Sequence, residues 1–415
     1  MATPVIVIQM QSYTVKVGVA GEALPRFIYN RAPSSSDLSN NNDDGKINSN
    51  KRLYYINLFQ YAFMKKLCMK AKDAQVLVIE DIFELKADRD AMFSALLVDL
   101  GVASLSIQPD LFMPILTSTT TSGVVIDIGK DETKVLAVFQ GRPLLQTLIV
   151  SQVGAVDVVK SFVDQVQRVT ERTVPLNYTE AMKVLRDHSA RALMQSSSVP
   201  VVSPASSAVV DPSAGLASVL VPLSASATVS ESASVSGRPS PPVQVLLPAL
   251  VFHTSLRYLV IGSELGQIAE AILNCLKACN SDVRATVLAN IVVCGCLTDI
   301  PGIPESLCEE ASSTLFADSD TSGNYASVRQ TVRKVLGPEG RLEPAWTGLE
   351  REHLAWVGGS LFAAQKGNLA KFIGAQTVLA QHQQSSAGRL HAPDWMSVDP
   401  KDWSFYGRTS TVDKS

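Results

Sequence analysis

The stretch GVVIDIGKDETKV, residues 123–135, decides the fold. Val124, Val125 and Ile126 form a β-branched run that ends at Asp127. Gly129 follows, then the charged residues Lys130–Glu132, then a second strand-like run, TKVLAVF. Two such runs joined by a glycine turn read as strand, tight loop, strand. An acidic residue at a strand end beside a glycine can also hold a metal-bound phosphate. The stretch therefore asks whether the chain binds and hydrolyses a nucleotide or only keeps the framework for it. A twin lies near the start: VIVIQMQSYTVKVGV, residues 5–19, has the same form, with Lys16 and Lys134 at equivalent places after their loops. Such a duplication predicts two related lobes facing each other across a cleft, each offering one loop to it.

Outward from these hairpins, strands and helices alternate. AQVLVIED (74–81) and SLSIQ (104–108) read as buried strands, LYYINLFQYAFMKKLCMKA (53–71) has helical spacing, and KADRDAMFSALLVDLG (86–101) is an amphipathic helix with acids early and glycine at its end. DLFMPILTS (110–118) is short and helical. The pattern is α/β with a largely buried sheet. Two low-complexity tracts interrupt it. PSSSDLSNNNDDGKINSNK, 33–51, is polar and turn-rich and is expected to be a mobile loop. The tract 196–242 is almost all Ser, Ala, Val and Pro and reads as a disordered insertion, with a β-rich run as the competing reading.

The 415 residues suffice for two domains or one two-lobed fold, and 46% hydrophobic with 18% charged residues is ordinary for a globular chain. A net charge of -3 gives no electrostatic case for nucleic acid or an anionic membrane. The start, MATPVIVIQM, reads as a strand and not a signal peptide. No apolar run approaches the roughly 20 residues that span a bilayer. The six cysteines sit mostly in apolar runs without Cys-x-x-Cys or histidine partners, so small buried hydrophobes are expected and no metal site.

Five segments, in order, resemble the actin superfamily: VKVGVAGEALPRFIY (15–29), LKADRDAMFSALLVDLG (85–101), GVVIDIG (123–129), NSDVRATVLANIVVCG with PGIPESL (280–307), and LEREHLAWVGGSLFAA (349–364). The resemblance implies an actin-like two-lobed fold, duplicated ribonuclease-H-like domains around a central cleft, with a reduced second subdomain. It divides the chain into a first lobe (1–32 and 52–150, with 33–51 replacing most of the second subdomain), a second lobe (151–195 and 243–345) carrying the 196–242 insertion, and a segment, 346–415, returning to the first lobe. PDWMSVDP (393–400) and QPDLFMPILTS (108–118) are similar to the branch that caps the pointed end of dynactin.

Phosphate loops use glycine because backbone N–H groups must point inward unobstructed. Where the family's first loop reads Asp-x-Gly-Ser-Gly, this chain has Gln9, Met10, Gln11, Ser12 and Tyr13; Ser12 and Lys16 remain. The second loop keeps Asp127 and Gly129 but has Lys130 and Asp131 next. The third reads CGC (294–296) and keeps Gly295. At the family's water-orienting glutamine stands Asp110, with Gln108 two residues earlier. The resemblance therefore implies no catalytic residue, with Ser12, Lys16, Asp127, Gly129 and Gly295 as a degenerate site. ATP or ADP would be a structural ligand at most. A strand end whose Asp127 only accepts turn hydrogen bonds stays open. The GG of WVGGS reads as a tight helix–strand junction.

An actin-like filament grows because each subunit offers two unlike faces. The 33–51 tract is too short and polar for the packed subdomain of the pointed face, whereas the segments on the other face match the family. Ile300, Pro301 and Ile303 are the expected filament contacts. The implied role is a non-catalytic subunit that ends a short actin-related filament at dynactin's pointed end, in the cytoplasm and cytoskeleton. Its partners would be the filament subunit and other pointed-end subunits, without nucleic acid or membrane insertion. The alternative is a nucleotide-binding actin-related protein of another complex, in chromatin remodelling or as a cytoskeletal ATPase.

Overall fold

A computed structural model describes residues 3–30, 44–118, 120–170, 176–195, 218–223, 243–261, 267–317, 324–337, 340–365, 367–368 and 373–374. The first lobe is built on β1 (Val5–Met10), β2 (Thr14–Val19), β3 (Phe27–Asn30), β4 (Gln75–Glu80) and β5 (Ser104–Pro109). β1 pairs antiparallel with β2 and parallel with β4. β5 lies parallel beyond β4, β3 closes the far side beside β2, and a two-residue strand, Ile373–Gly374, joins β5. Helices α1 (Asp44–Tyr61) and α2 (Lys86–Ser94) pack on this sheet, each running on into a short π-helical turn. Tyr55 and Phe59 of α1 stack at 5.9 Å in the lobe's outer core.

The second lobe holds β6 (Gly123–Ile128), β7 (Thr133–Phe139), β8 (Arg142–Pro143), β9 (Ile149–Ser151) and, later in the chain, β12 (Ile291–Gly295), which lies parallel to β6. Between them come α3 (Ala155–Val169), α4 (Tyr178–Gln195), β10 (Ser218–Leu223), β11 (Val243–Pro248), α5 (Ala249–Ile261), α6 (Ile268–Ala278) and α7 (Ser281–Val287); α8 (Ile303–Phe316) and α9 (Ala326–Leu336) follow. Phe162 of α3 and Phe252 of α5 meet at 5.2 Å in its core.

A third core joins the lobes. Val7, Leu77 and Ile79 from the first sheet and Val125, Leu136 and Val292 from the second face the 3₁₀ segment Asp110–Thr117 and α10 (Leu354–Ala364). Trp356 of α10 is fully buried there. The paired glycines are not the expected helix–strand junction but lie inside α10. A Cβ on Gly358 would stand 1.9 Å from the Met113 carbonyl oxygen, and one on Gly359 2.1 Å from Ile79 Cδ1. Glycine in a helix costs about 1 kcal/mol, and here it admits backbone-close packing that no larger residue allows.

Two expectations about the low-complexity tracts are corrected. Residues 44–51 are not loop but the first turns of α1, which long-range ion pairs hold in place: Lys51 to Asp88 at 2.8 Å and Arg52 to Asp99 at 2.7 Å. Residues 31–43 lie outside the described residues. Within 196–242, Ser218–Leu223 is a strand, paired antiparallel with β11 from Ser218↔Pro248 to Leu223↔Val243. Val221 and Leu247 are buried in the second-lobe core. Pro222 is accommodated because both strands of a two-stranded ribbon are edges. Residues 196–217 and 224–242 lie outside the described residues, as do 375–415 with the PDWMSVDP segment. Cys275, Cys279, Cys294 and Cys308 are buried, and no metal-holding cluster occurs among the described residues.

Candidate functional site

The twin hairpins share one register. β1–β2 places Gln9 opposite Lys16, and β6–β7 places Asp127 opposite Lys134. Their loops meet across the cleft. The first closes with Gln11 N–H donating to the Thr14 carbonyl at 2.9 Å and the second with Gly129 N–H donating to the Glu132 carbonyl at 2.8 Å. Ser12 is exposed at the first tip, while the Tyr13 hydroxyl donates to Asp131 Oδ2 at 2.6 Å, joining one tip to the other. The Lys130 ammonium lies 3.4 Å from the Tyr13 ring centroid and 4.8 Å from that of Tyr178, a cation–π stack that fills the space between the tips.

Below the tips the two lysines have different surroundings. Lys16 is buried and donates to the Glu352 carbonyl at 2.7 Å. Burial lowers its pKa, outweighing the pull of Glu352, Cys296 and Asp127. Lys134 is also buried but grips both oxygens of Asp81 at 2.6 Å, with Glu132 at 3.4 Å. Burial works against its charge, yet Asp110, Asp81 and Asp127 overcome it and raise its pKa. Asp110 is buried and accepts a hydrogen bond from Leu111 N–H at 2.7 Å. Its pKa is well raised, first by burial and then by Asp81, against the pull of Lys134. Asp127, half-buried, is shifted the same way by burial. Its Oδ1 lies 3.7 Å from the Cys294 thiol. Lys134 thus binds Asp81 directly and lies in the field of Asp110 and Asp127 from the two lobes, Asp127 feeling Lys16 as well.

The third loop turns sharply. Gly295 has φ +99°, and a Cβ there would stand 2.3 Å from the Ile128 carbonyl and 2.6 Å from Asp127 Oδ1. Leu297 is also left-handed, at φ 64°. The turn aims Asp299 at the backbone N–H groups of Arg351 (2.5 Å) and Glu352 (3.2 Å). Glu352 in turn pairs with Arg186 of α4 at 2.6 Å. The expected filament contacts are corrected here. Ile300 is 3% and Ile303 4% exposed, both inside the second-lobe core: Ile300 closes the left-handed turn at Leu297, its N–H donating to the Leu297 carbonyl at 3.1 Å, and Ile303 opens α8 after Gly302 (φ +91°). Of the three, Pro301 alone is exposed.

The Actin family profile matches residues 35–200 and 248–373, more than half of the chain. The chain belongs to the actin family. It is similar to the Actin-like protein ARP10 of Saccharomyces cerevisiae, 25% identical over 37% of this chain and 50% of that one, so the match spans half the length of that relative. It is also similar to Actin-related protein 2 of Acanthamoeba castellanii, 20% identical over 74% of this chain and 71% of that one.

Of the actin-family site residues, Asp127 lies beside Gly295 and within the field of Lys16, Gly129 belongs to the turn of the second tip, and Ser12 stands apart at the surface. The arrangement does not fit the phosphates of a nucleotide. Tyr13, Lys130 and Asp131 occupy the gap between the tips, both buried lysines are engaged by protein oxygens, and three carboxylates gather where a triphosphate would need positive charge. Gln9 Oε1 is buried without a hydrogen-bond partner, and it offers a metal one neutral oxygen where the resemblance expects a carboxylate. Sequence reading missed Asp81, Glu352 and Arg186. Asp81 did carry a signal, since it directly follows the buried run QVLVIE, as Asp127 nearly ends its own strand.

Proposed function

We propose that this chain is a non-catalytic actin-family subunit that ends a short actin-related filament at its pointed end, as part of a dynactin-like complex serving dynein-based transport on microtubules. The observation that carries the reading is the Tyr13–Asp131 bond, with Lys130 stacked on it: side chains of the protein close the cleft where the family's glycines leave an opening. With its own side chains bridging the two tips, this subunit is proposed to keep its shape without nucleotide and to have no turnover to drive. The end-of-filament role is supported by the short passage from Asn30 to Asp44, through residues 31–43 alone, too few for a packed subdomain on that face. The dynactin branch rests on the likeness of 108–118 and 393–400. The retained glycines do not favour the nucleotide-binding alternative. A Cβ on Gly129 would lie 2.7 Å from the Glu132 carbonyl, so the protein's own turn requires that glycine.

Two measurements test the reading. Acid-denatured, purified protein is assayed for released nucleotide, with the expected content far below one per chain; stoichiometric ADP or ATP would overturn the self-closed cleft. Tagged chain reconstituted with the filament subunit is then located by electron microscopy. One copy at one end is expected, and label along the filament length would overturn the terminating role.

A further inference from the structure

Strand β3 ends the first sheet. It pairs with β2 on one side, and among the described residues nothing pairs with its other edge. An open edge offers a row of backbone donors and acceptors to another chain. Successive side chains of a strand point to opposite faces, and β3 is flanked on both. On one face, Ile28, 47% exposed, lines a cavity of about 590 Å³ together with Arg186, Asp299, Glu350, Glu352 and His353, a size ordinary for a binding pocket. Trp346, 88% exposed, stands at its rim, its ring against Gly348. On the other face Phe27 lies 6.2 Å from Tyr29 and 5.9 Å from Tyr61, with the Lys66 ammonium 4.9 Å from the Phe27 ring centroid.

Charge decides what this edge accepts. The cavity sets three carboxylates against one guanidinium. Asp299 caps the backbone of Arg351 and Glu352, and Glu352 pairs with Arg186. Glu350, whose side chain is 61% exposed, pairs with His353 at 3.5 Å and with no other charged group among the described residues. Burial and then Lys16 lower the pKa of that histidine, so it supplies no cation near neutral pH. An incoming guanidinium or ammonium would meet Glu350, whose one charge partner here is a neutral imidazole, with the exposed Trp346 ring against Gly348 of the same lining.

We propose that the free edge of β3 accepts an extended segment of another protein as an added strand, with basic side chains entering the Glu350 cavity and apolar ones covering the Phe27–Tyr29 face. This is the strand-addition mode of recognition, in which the backbone ladder gives affinity and alternate side chains give specificity. It rests on the sheet edge and the cavity and not on the filament reading, so either can fail alone.

The test uses a fluorescent peptide of about ten residues alternating Arg and Val, in fluorescence anisotropy with the full chain. Two controls accompany it: a Glu–Val peptide, and an Arg–Val peptide N-methylated along the edge that must pair. Saturable binding of the first is expected, with both controls at least about tenfold weaker. Glu350→Lys should also weaken it about tenfold with unchanged thermal unfolding, since Glu350 is exposed. Equal binding by the N-methylated peptide would reduce the effect to charge and overturn the added strand. Indifference to Glu350→Lys would place the site elsewhere. Binding that emerges only when residues 31–43 are deleted would make the chain's own segment the occupant. A concentration-dependent dimer that the peptide does not compete with would assign the edge to a second copy. Each of these four outcomes overturns the proposal.

Discussion

The two hairpins at the cleft have the same ladder and opposite electrostatics. Each places a buried lysine across from the last polar residue of the preceding strand, Lys16 opposite Gln9 and Lys134 opposite Asp127. Lys16 reaches a single backbone carbonyl and its pKa falls; Lys134 sits among Asp81, Asp110 and Asp127 and its pKa rises. Burial is nearly equal, 2% and 5% exposed, so the neighbouring charges set the difference. Register is fixed by the alternation that buries one face of each strand, and it survives when the residues facing the cleft change. The tips are under no such constraint, and there the first hairpin has exchanged glycine for Tyr13.

The largest effect that probes this contrast is removal of each lysine in turn. Lys134→Met leaves Asp81 without its ion-pair partner beside Asp110 and Asp127 and is expected to cost about 3–5 kcal/mol, as for other broken buried ion pairs. Lys16→Met loses one hydrogen bond but also the desolvation of an ammonium, so its expected effect is within about 1 kcal/mol. Urea unfolding of both variants measures the two costs. Equal costs would break the comparison.

Asp110→Asn sharpens the electrostatic side. A carboxyl whose pKa is raised by burial holds its proton more tightly folded than unfolded. Its favourable contribution is therefore complete below the unfolded carboxylate pKa and is lost as pH rises through the folded value. At neutral pH the asparagine, which mimics the protonated form, is expected to add about 1–2 kcal/mol, and the gain should shrink towards roughly pH 4. Thermal unfolding from acid to neutral pH reads this directly; a loss of stability at neutral pH would reverse the sign.

How legible this was follows from where the information lies. The hairpin register was readable because alternation and turn sit within fifteen neighbouring residues. The glycine losses in the tips were readable for the same reason. An apolar residue beside Pro and Gly looks like a surface loop, and Ile300 and Ile303 are buried instead because left-handed turns at Leu297 and Gly302 bring them into the core. β10 was hidden because its pattern is completed by β11, some twenty residues on, and Val221 gains its burial from the helices of the second lobe. Asp81 and Glu352 are ordinary charged residues until the fold brings them to the lysines of the hairpins.

The smallest effect concerns the tips. Tyr13→Phe removes a hydrogen bond between solvent-facing groups and keeps the ring under Lys130, so a loss of about 0.5–1 kcal/mol is expected. Thermal unfolding at fixed salt is the measurement. A loss above about 2 kcal/mol would mean that the Tyr13–Asp131 contact clasps the lobes as strongly as a buried bond does.

The glycine pair of α10 also sets a timetable. Gly359 lies against Ile79 of β4 and Val7 of β1, so the oldest strand of the chain is sealed by one of its last helices. At ribosomal speeds of about 5–20 residues per second, roughly 20–70 seconds separate the synthesis of Val7 from that of Gly359. Through that interval Val7 and Ile79 wait for the helix that packs on them, although the 3₁₀ segment and the second-sheet residues of the same core are already made. A product terminated before Leu354 would lack that helix and leave Val7 and Ile79 without their packing partner at Gly359.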